Sequence, residues 1–537
     1  MENTKYVNLK IQDIISSIED KSFENFKTII TQESNNIIIK EWDESDLFML
    51  TNNFIKNNNN LSDLERECRS IILSKSNLKI VCYTYDDIYY NQDAKDFLIK
   101  NIEWEKVIQE CFEGTLLSVY FYNDKWNIST RRCIDASNSI WMSNKSYLDM
   151  FLECINVSLD EFTSYLREEN NYYFVLVHYQ NKHIVDYSDY FGEEDYKKII
   201  HVMTRNQDTN IEISLDNVNQ WKKKPVFFSR PKNMKDDQDF FEAKQRKEVV
   251  DYIEENNNLK LEKVTNHENF SKLDELNKNN KLDLPVTSEG LIVKMYNPNN
   301  NKTELLKFQT NSYQFMSILK PNSNNIFMSF IELYQNDMLK RHLEYFPGNC
   351  KFEIELYDGY NEIFDTIGVV DAAFKVKTSE LFELFRTLYN LKDCSHKNKE
   401  LYSILPTEYT IALYRIRGIY YKKKEKYIKS KQEDNSSDIN NINTNLRIFD
   451  IYNMLKYTYE TKELLKLFRA RKILLNKCMS TKNDLSEKII NLSHRCDKVS
   501  IKMTAILLNK MFPKDQDLDI YSKKSVKRNI TEDNNVI

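Results

Sequence analysis

The chain has 537 residues, with 76 Lys and Arg against 81 Asp and Glu, a formal net charge of −5. That length exceeds one ordinary core and implies two or three domains, and the near-balance of charge excludes a chain that coats nucleic acid by bulk charge, while leaving room for a local basic groove. Only 7 Gly and 8 Pro occur, which excludes collagen-like tracts and long flexible linkers. The 9 cysteines form no CxxC pair, so reduced thiols in a cytosolic compartment are the simplest expectation. Nothing at Met1 resembles a signal peptide, and no apolar run is long enough to span a bilayer.

Residues 1–45 read as a helical extension: Ile11, Ile14, Ile15 and Ile18 recur at helical spacing, followed by Phe23 and Phe26, with Ile37-Ile38-Ile39 as a short strand. The asparagine run Asn57 to Asn60 is a loop. Ile71-Ile72-Leu73 starts a buried strand with Arg69 at its mouth. Arg69 is either an exposed charge or a phosphate or ribose contact, and the local sequence alone favours the exposed charge. Ile80 to Tyr85 is a further strand. From Glu110 to Arg132 the pattern is a β-hairpin: Leu117, Val119 and Phe121 alternate with Ser118, Tyr120 and Tyr122, Asn123-Asp124 turns, and Trp126, Ile128 and Thr130 return. Glu113-Gly114 precedes it, and Arg131 and Arg132 close it. An acid, a turn and a basic exit suit a phosphate-bearing ligand, although charges at strand ends are more often simply solvated.

Tyr147 to Cys154 and Leu159 to Leu166 have amphipathic helical spacing, the second capped by Ser158. Tyr173 to Tyr179 is a buried strand; with a turn at Gln180-Asn181-Lys182 and a return over His183 to Tyr187 it predicts a second hairpin, placing His178 and His183 on a hairpin surface. Phe240 to Asn256 predicts a helix. Glu289-Gly290 opens a third hairpin, Leu291 to Tyr296 out and Glu304 to Thr310 back. Beyond Tyr313 the period becomes helical, with candidates at Leu319 to Leu343, Ser379 to Leu391, Glu408 to Ile428, Leu446 to Leu475 and Leu485 to Met511; Gln432 to Asn445 reads as disordered. Arg415, Arg417, Lys422 and Lys423 form a basic stripe interleaved with tyrosines. Such a stripe can grip RNA by phosphate contact and stacking; a charged helix surface with tyrosines packed beneath it is the simpler alternative.

Taken in order, these stretches resemble the phage T4-type RNA ligases of the tRNA-repair branch of the covalent nucleotidyltransferases. Glu67-Cys68-Arg69-Ser70-Ile71 resembles that family's arginine box, and Tyr89-Tyr90-Asn91 its following aromatic pair and asparagine. Cys111-Phe112-Glu113-Gly114 falls where the family carries lysine-x-acid-glycine. Phe174 to Val177 resembles the third motif, Glu289 to Lys294 the fourth, and Lys307-Phe308-Gln309 the fifth. The order and spacing fit over roughly residues 45–320. The resemblance implies an α+β fold: an antiparallel-sheet nucleotidyltransferase domain over 46–318, followed by a mostly α-helical domain over 319–537. It also implies a nucleotide site built from Arg69, Glu113, Gly114, Glu289, Lys294 and Lys307, with ATP and Mg2+ as cofactors and RNA, tRNA or RNA ends, as partner.

The departures are specific. The motif lysine, which attacks the α-phosphate of ATP, is Cys111; the third-motif acid is Val175; the second lysine of the fifth motif is Gln309; the glycine of the arginine box is Ser70. Losing a nucleophile typically costs about 10⁴-fold or more in rate. The expectation is therefore a catalytically silent relative binding nucleotide or RNA ends. The alternatives are an active ligase whose nucleophile has moved, to Lys106 or Cys111, and a structural or assembly protein retaining only the fold. The composition resembles that of large DNA virus proteins, with the host cytoplasm or the virion as the implied location.

Overall fold

A computed structural model describes residues 6–233, 286–389, 399–432 and 446–481, and residue 487, apart from short gaps at 44, 53–60, 141–144, 182, 224, 226–227, 321–325, 347–348 and 356–360. The chain divides into two compact units, with the division at Ile318/Leu319. The architecture is α+β, with antiparallel sheets in the first unit and a largely helical second unit.

The first unit opens with α1 (Lys10–Ser17) and α2 (Phe23–Glu33), then β1 (Ile37–Glu41), β2 (Leu47–Asn52), α3 (Asp63–Glu67), β3 (Ile71–Ser74), β4 (Ile80–Tyr83), β5 (Tyr89–Tyr90), α4 (Asn91–Lys100) and β6 (Lys106–Cys111). The hairpin β7 (Thr115–Tyr122) and β8 (Lys125–Thr130) follows, then α5 (Tyr147–Ile155), α6 (Leu159–Ser164), β9 (Asn170–His178), α7 (Ser188–Phe191), β10 (Lys197–Asn206), β11 (Glu212–Ile213), β12 (Gly290–Asn297), β13 (Lys302–Gln309) and α8 (Asn311–Leu319). The strands make three sheets, ordered β1-β2-β3-β4, β11-β10-β9-β7-β8 and β5-β13-β12-β6. All described pairings within them are antiparallel except β5 with β13.

Each sheet is buried on two faces. One face of each meets a shared layer: Met49 and Ile72 from the first, Tyr120, Tyr173 and Met203 from the second, Leu305 and Ile292 from the third. The other faces take helices. Phe26 and Ile30 of α2 and Ile11 and Ile15 of α1 pack on Phe48, Leu50 and Ile71; Phe151 and Phe162 of α5 and α6 pack on Leu117, Phe174 and Leu176; Ala94 and Leu98 of α4 pack on Val293 and Leu306. The N-terminal segment is thus built into this unit. β1 pairs with β2 across residue 45, and the Glu67 carboxylate accepts from the Lys10 and Ile11 amides at 2.7 and 3.0 Å, satisfying donors at the start of α1.

The β7–β8 hairpin turns at Asn123 and Asp124, whose φ of 50° and 58° match a two-residue hairpin turn. The hairpin expected over Tyr173 to Tyr187 does not form. β9 pairs instead with β10, which sequence pattern did not reveal, and with β7. The reason is a long-range contact: the Ile184 and Val185 amides, which a return strand would need, both donate to the Glu113 carboxylate, at 2.6 and 2.8 Å. His178 is accordingly buried, its Nε2 3.3 Å from Glu153 Oε2, rather than on a hairpin surface.

The second unit contains α9 (Ile326–Gln335), α10 (Leu339–Tyr345), the hairpin β14 (Lys351–Glu355) and β15 (Asn361–Asp365), α11 (Thr366–Leu388), α12 (Lys399–Ile404), α13 (Thr407–Gln432), α14 (Ile448–Tyr457) and α15 (Thr461–Thr481). Two of the expected long helices are broken. Asp337, at φ 59°, separates α9 from α10, and Thr458 ends α14 before α15 begins. α11 starts earlier than Ser379 because Asp365 caps it, accepting from the Gly368 amide at 2.7 Å. One apolar core joins Phe330, Phe374, Phe385, Leu413, Leu455 and Phe468. The helix expected over Phe240 to Asn256, the helix expected over Leu485 to Met511 except residue 487, and residues 433–445 of the stretch expected to be disordered lie outside the described residues, whereas Gln432, the first residue of that stretch, closes α13. Among the described residues no helix is long and apolar enough to cross a membrane.

Candidate functional site

The third sheet brings the ends of β6, β12 and β13 together. Gly290 is opposite Cys111 on one side and Gln309 on the other, and Ile292 is opposite Lys307. Strand alternation therefore puts Cys111, Lys307 and Gln309 on the same face, away from the α4 core. Gly290 is required there: its φ is 143°, and a Cβ would fall 1.9 Å from the Phe308 carbonyl oxygen.

Glu289, just before β12, organises these side chains. It is buried, and its Oε1 accepts from Lys307 Nζ at 2.9 Å and Gln309 Nε2 at 3.1 Å, while Oε2 accepts from Cys111 Sγ at 3.3 Å. Burial pushes the Glu289 carboxyl up, but the Lys307 ammonium beside it overrides this and holds it below the usual carboxylate range. Burial opposes the Lys307 charge in turn, and the Cys111 and Glu289 side chains override that, raising it. The Cys111 thiol is pushed up by burial and then by Glu289, so it stays protonated at neutral pH.

Glu113 and Gly114 serve the neighbouring loop. Besides holding the Ile184 and Val185 amides, Glu113 donates its own amide to the Tyr187 hydroxyl at 2.6 Å. A Cβ on Gly114 would lie 2.4 Å from the Leu176 carbonyl oxygen and 2.6 Å from Val175 Cγ1, so its bare backbone lets β7 approach β9. Beside Cys111 opens a cleft of about 380 Å³, lined by Glu110, Cys111, Phe112, Asp186, Tyr187, Tyr190 and Ser288 among others. Phe112 stacks on Tyr187 with centroids 5.9 Å apart and meets Tyr190 edge-on, and the Tyr190 hydroxyl donates to Glu110 at 3.1 Å.

Arg69 lies at the mouth of β3, with Nε 3.8 Å from Asp87 Oδ1 and buried without a hydrogen-bond partner. Arg131 adjoins it. Crowding by protein and the like charges of Arg69 and Arg132 push Arg131 down to about 10, although part of its side chain stays exposed. Tyr90, also close to Arg131, is opposite Lys307 in the parallel β5–β13 pair. The basic side chains thus run from Arg69 and Arg131 past Tyr90 to Lys307.

Lys294 does not join this group. It lies four residues along β12 from Gly290, about 13 Å by strand rise, and its Nζ donates to the Val202 carbonyl and to Glu212 Oε1, both at 2.7 Å. Glu212 in turn is 4.0 Å from the buried Arg205, whose guanidinium rests on the rings of Tyr83 and Tyr85. Lys294 thus ties the second sheet to the third. Sequence reasoning missed this network, along with the Phe112, Tyr187 and Tyr190 lining; the aromatic run Tyr187 to Phe191 was the available signal. In the second unit Arg415 donates to Glu463 at 2.9 Å and Lys423 to Asp450 at 2.6 Å, Arg417 rests between Tyr389 and Tyr421, and Lys422 is exposed. Among the described residues no three His, Cys, Asp or Glu gather as a metal site.

No family model matches the chain. It is similar to the immediate-early protein ICP-46 homologs of invertebrate iridescent virus 6, at 32% identity over 109 residues, and of invertebrate iridescent virus 3, at 36% over 106 residues. These matches cover 19% and 18% of this chain, and span about a quarter, 24%, of each relative's length. Solved structures similar to it include an archaeal ATP-dependent RNA ligase, with a TM-score of 0.33 and 8% identity over 63% of this chain and 74% of that one. Another is a putative ATP-dependent DNA ligase from Aquifex aeolicus, with a TM-score of 0.34 and 13% identity over 63% of this chain and 85% of that one.

Proposed function

We propose that this chain is a catalytically silent relative of the ATP-dependent RNA ligases that binds a nucleotide, and RNA ends, in the cleft beside Cys111. The observation that carries the reading is the Cys111–Glu289–Lys307 cluster. Residues matching three motifs meet at one carboxylate, and the strand position of the attacking amine holds a buried, protonated thiol. A thiol so placed is a poor nucleophile, because the thiolate is the reactive form. Lys106 is no substitute: it is five residues back on β6, donates to the Ile102 and Trp104 carbonyls, and alternation turns it to the opposite face.

The rings of the cleft suit a nucleotide's base, while Glu110, Asp186 and Asp189 make the lining itself acidic. The aromatic and acidic lining at Phe112, Tyr187, Tyr190 and Glu110 offers a stacking surface and acceptors for a base. Positive charge for phosphates comes from beyond that lining, at Lys307, Arg69 and Arg131. The protein donors do not fit a resident metal: Glu113 is engaged by two amides, Glu289 by Lys307, and Val175 stands in the third motif. Magnesium would come on the nucleotide's own phosphates. RNA contact is assigned to this first-unit cleft rather than to α13, where Arg415 and Lys423 are already paired with acids.

A second reading has a specific observation behind it. Lys307 presents its amine to the same carboxylate that binds Cys111, so an active ligase with a displaced nucleophile would use Lys307. Labelling with α-³²P-ATP and Mg2+ separates the two. Silent binding predicts no protein-bound label, together with an ATP-induced rise in Tm that shrinks in Lys307→Ala and in Arg69→Ala. A covalent adduct kept in Cys111→Ala and lost in Lys307→Ala would replace this proposal with the second reading. No shift in Tm with either ATP or tRNA would leave the fold as a structural element only.

A further inference from the structure

The cleft beside Cys111 is anionic at the end where a base would stack. Glu110, Asp186 and Asp189 line it, and no Lys or Arg is among its described lining residues. Much of their accepting capacity is unused. Glu110 Oε2 accepts from the Tyr190 hydroxyl at 3.1 Å and from the Lys232 amide at 3.0 Å, which leaves Oε1 without a donor among the described residues. Asp186 spends only Oδ1, on the amide and hydroxyl of Ser188. Asp189, on α7, has no hydrogen-bond or ion-pair partner among the described residues.

One ring stands beside these acids with a face to spare. Phe112 and Tyr187 are both buried and stack on each other at 27°. Tyr190 stands edge-on to both, at 84°, and is 51% exposed. Its hydroxyl is fastened to Glu110, so the ring and a carboxylate are presented together. Beyond Cys111 the charge reverses. Cys111 Sγ and Lys307 Nζ share the Glu289 carboxylate, and the basic row continues past Tyr90 to Arg69 and Arg131. Arg69 has an unused donor there: its side chain is 10% exposed and its Nε is buried with no hydrogen-bond partner.

Adenine does not account for the acidic end. It is neutral, and its N1 acceptor adjoins the N6 amino group, so a carboxylate along that edge meets one donor and one lone pair. Guanine sets N1–H beside N2–H2, two donors that match the two oxygens of a carboxylate. Methylation at N7 gives the same base a positive charge, which a tyrosine face and nearby carboxylates both attract. A methylated lysine of a peptide would also satisfy the ring and the acids. It would leave the row from Lys307 to Arg131 without an anion, whereas a nucleotide brings phosphates to it.

We propose that the ligand of this cleft is a 7-methylguanosine 5′-phosphate, the base of a capped RNA end, with the methylated base on Tyr190, its N1–H and N2–H2 donated to Asp189, Glu110 and Asp186 balancing its charge, and its phosphates directed past Cys111 toward Lys307. The proposal rests on the nucleotide reading of the cleft and names the base and the kind of RNA end that it takes.

The test titrates the full chain with 7-methyl-GTP, GTP and ATP, each with Mg2+, by isothermal calorimetry at about 0.15 M salt. The expected order of affinity is 7-methyl-GTP, then GTP, then ATP, with about tenfold or more between the first and the last. Asp189→Asn with Glu110→Gln should lower affinity for 7-methyl-GTP about tenfold and leave ATP as tight or tighter, an opposition of signs that damage to the fold would not produce. Tyr190→Ala should weaken 7-methyl-GTP by a similar factor, and Tyr190→Phe, which keeps the ring, should recover most of it. ATP bound as tightly as 7-methyl-GTP overturns this inference and leaves the nucleotide reading standing. No binding of any of the three overturns both. A trimethyllysine peptide that binds where 7-methyl-GTP does not, and is lost on Tyr190→Ala, would assign the cleft to a peptide and overturn the inference.

Discussion

At the scale of single residues, Glu289 and Lys307 form a buried ion pair with the Cys111 thiol against the same carboxylate. A lysine at the Cys111 position would place a second cation beside Lys307 over one carboxylate; a thiol there leaves Glu289 and Lys307 as a matched buried pair. Breaking that pair is costly, because the remaining charge is left without a partner. Glu289→Gln is expected to destabilise the first unit by roughly 3 kcal/mol at neutral pH. The pH dependence has a definite sign. Glu289 is held below its ordinary value of 4.5, so its contribution is present above that value and is lost as pH falls through the lower folded value. Lys307 is raised above 10.5, so its contribution is complete below that pH and is lost as pH rises through the folded value. Urea unfolding across acid pH should show a smaller acid-side loss in Glu289→Gln than in the parent; equal losses would show that this carboxylate carries no linkage.

At the scale of elements, the legible strands were those whose side chains alternate in type and end in a clear turn. Leu117, Val119 and Ile128 alternate, and Asn123-Asp124 supplies the two left-handed residues of the β7–β8 turn. β10 escaped notice because His201, Thr204 and Arg205 are buried polar residues, which breaks the period of two. His201 and Thr204 bond to each other, and Thr204 to Gln220, partners invisible in a local window. The false return strand at His183 to Tyr187 has the opposite cause: its apolar residues are real, but a distant acid claims its amides. Glu113→Ala should therefore release that loop specifically. Amide exchange at Ile184 and Val185 is expected to accelerate about tenfold or more, for a loss of at least about 1.5 kcal/mol of local stability, with the β12–β13 ladder unaffected. Unchanged protection at those two amides would remove Glu113 from this role.

At the scale of the whole molecule, two units each hold a separate apolar core and a separate buried ionic cluster. In the second unit Lys377 donates to Glu380 at 2.8 Å, the Tyr409 hydroxyl donates to the same carboxylate at 3.0 Å, and Arg471 is 3.7 Å away. Burial raises the Glu380 carboxyl, but Lys377 and Arg471 overcome it and hold it low. Calorimetry of the full chain is expected to give two transitions. Glu380→Gln should lower one of them by several degrees, and Glu289→Gln the other. A single transition moved by both substitutions would show one cooperative unit instead.

What the sequence determined by itself was the set of local decisions. Alternation made the β7–β8 and β12–β13 hairpins, helical spacing made α5, α6 and α13, and the ordered motifs marked Cys111, Glu289 and Lys307 as members of one group. Each depends on residues within a few positions of one another, or on a pattern that survives without its partners. The tertiary structure alone decided which charges meet: Glu67 reaches α1, Lys294 binds Glu212 rather than joining Glu289, and the Glu113 carboxylate holds Ile184 and Val185. These outcomes depend on burial and on contacts between residues far apart in the chain. A carboxylate's partner is fixed by where the sheets bring it in a low-dielectric interior, and no local pattern records that position.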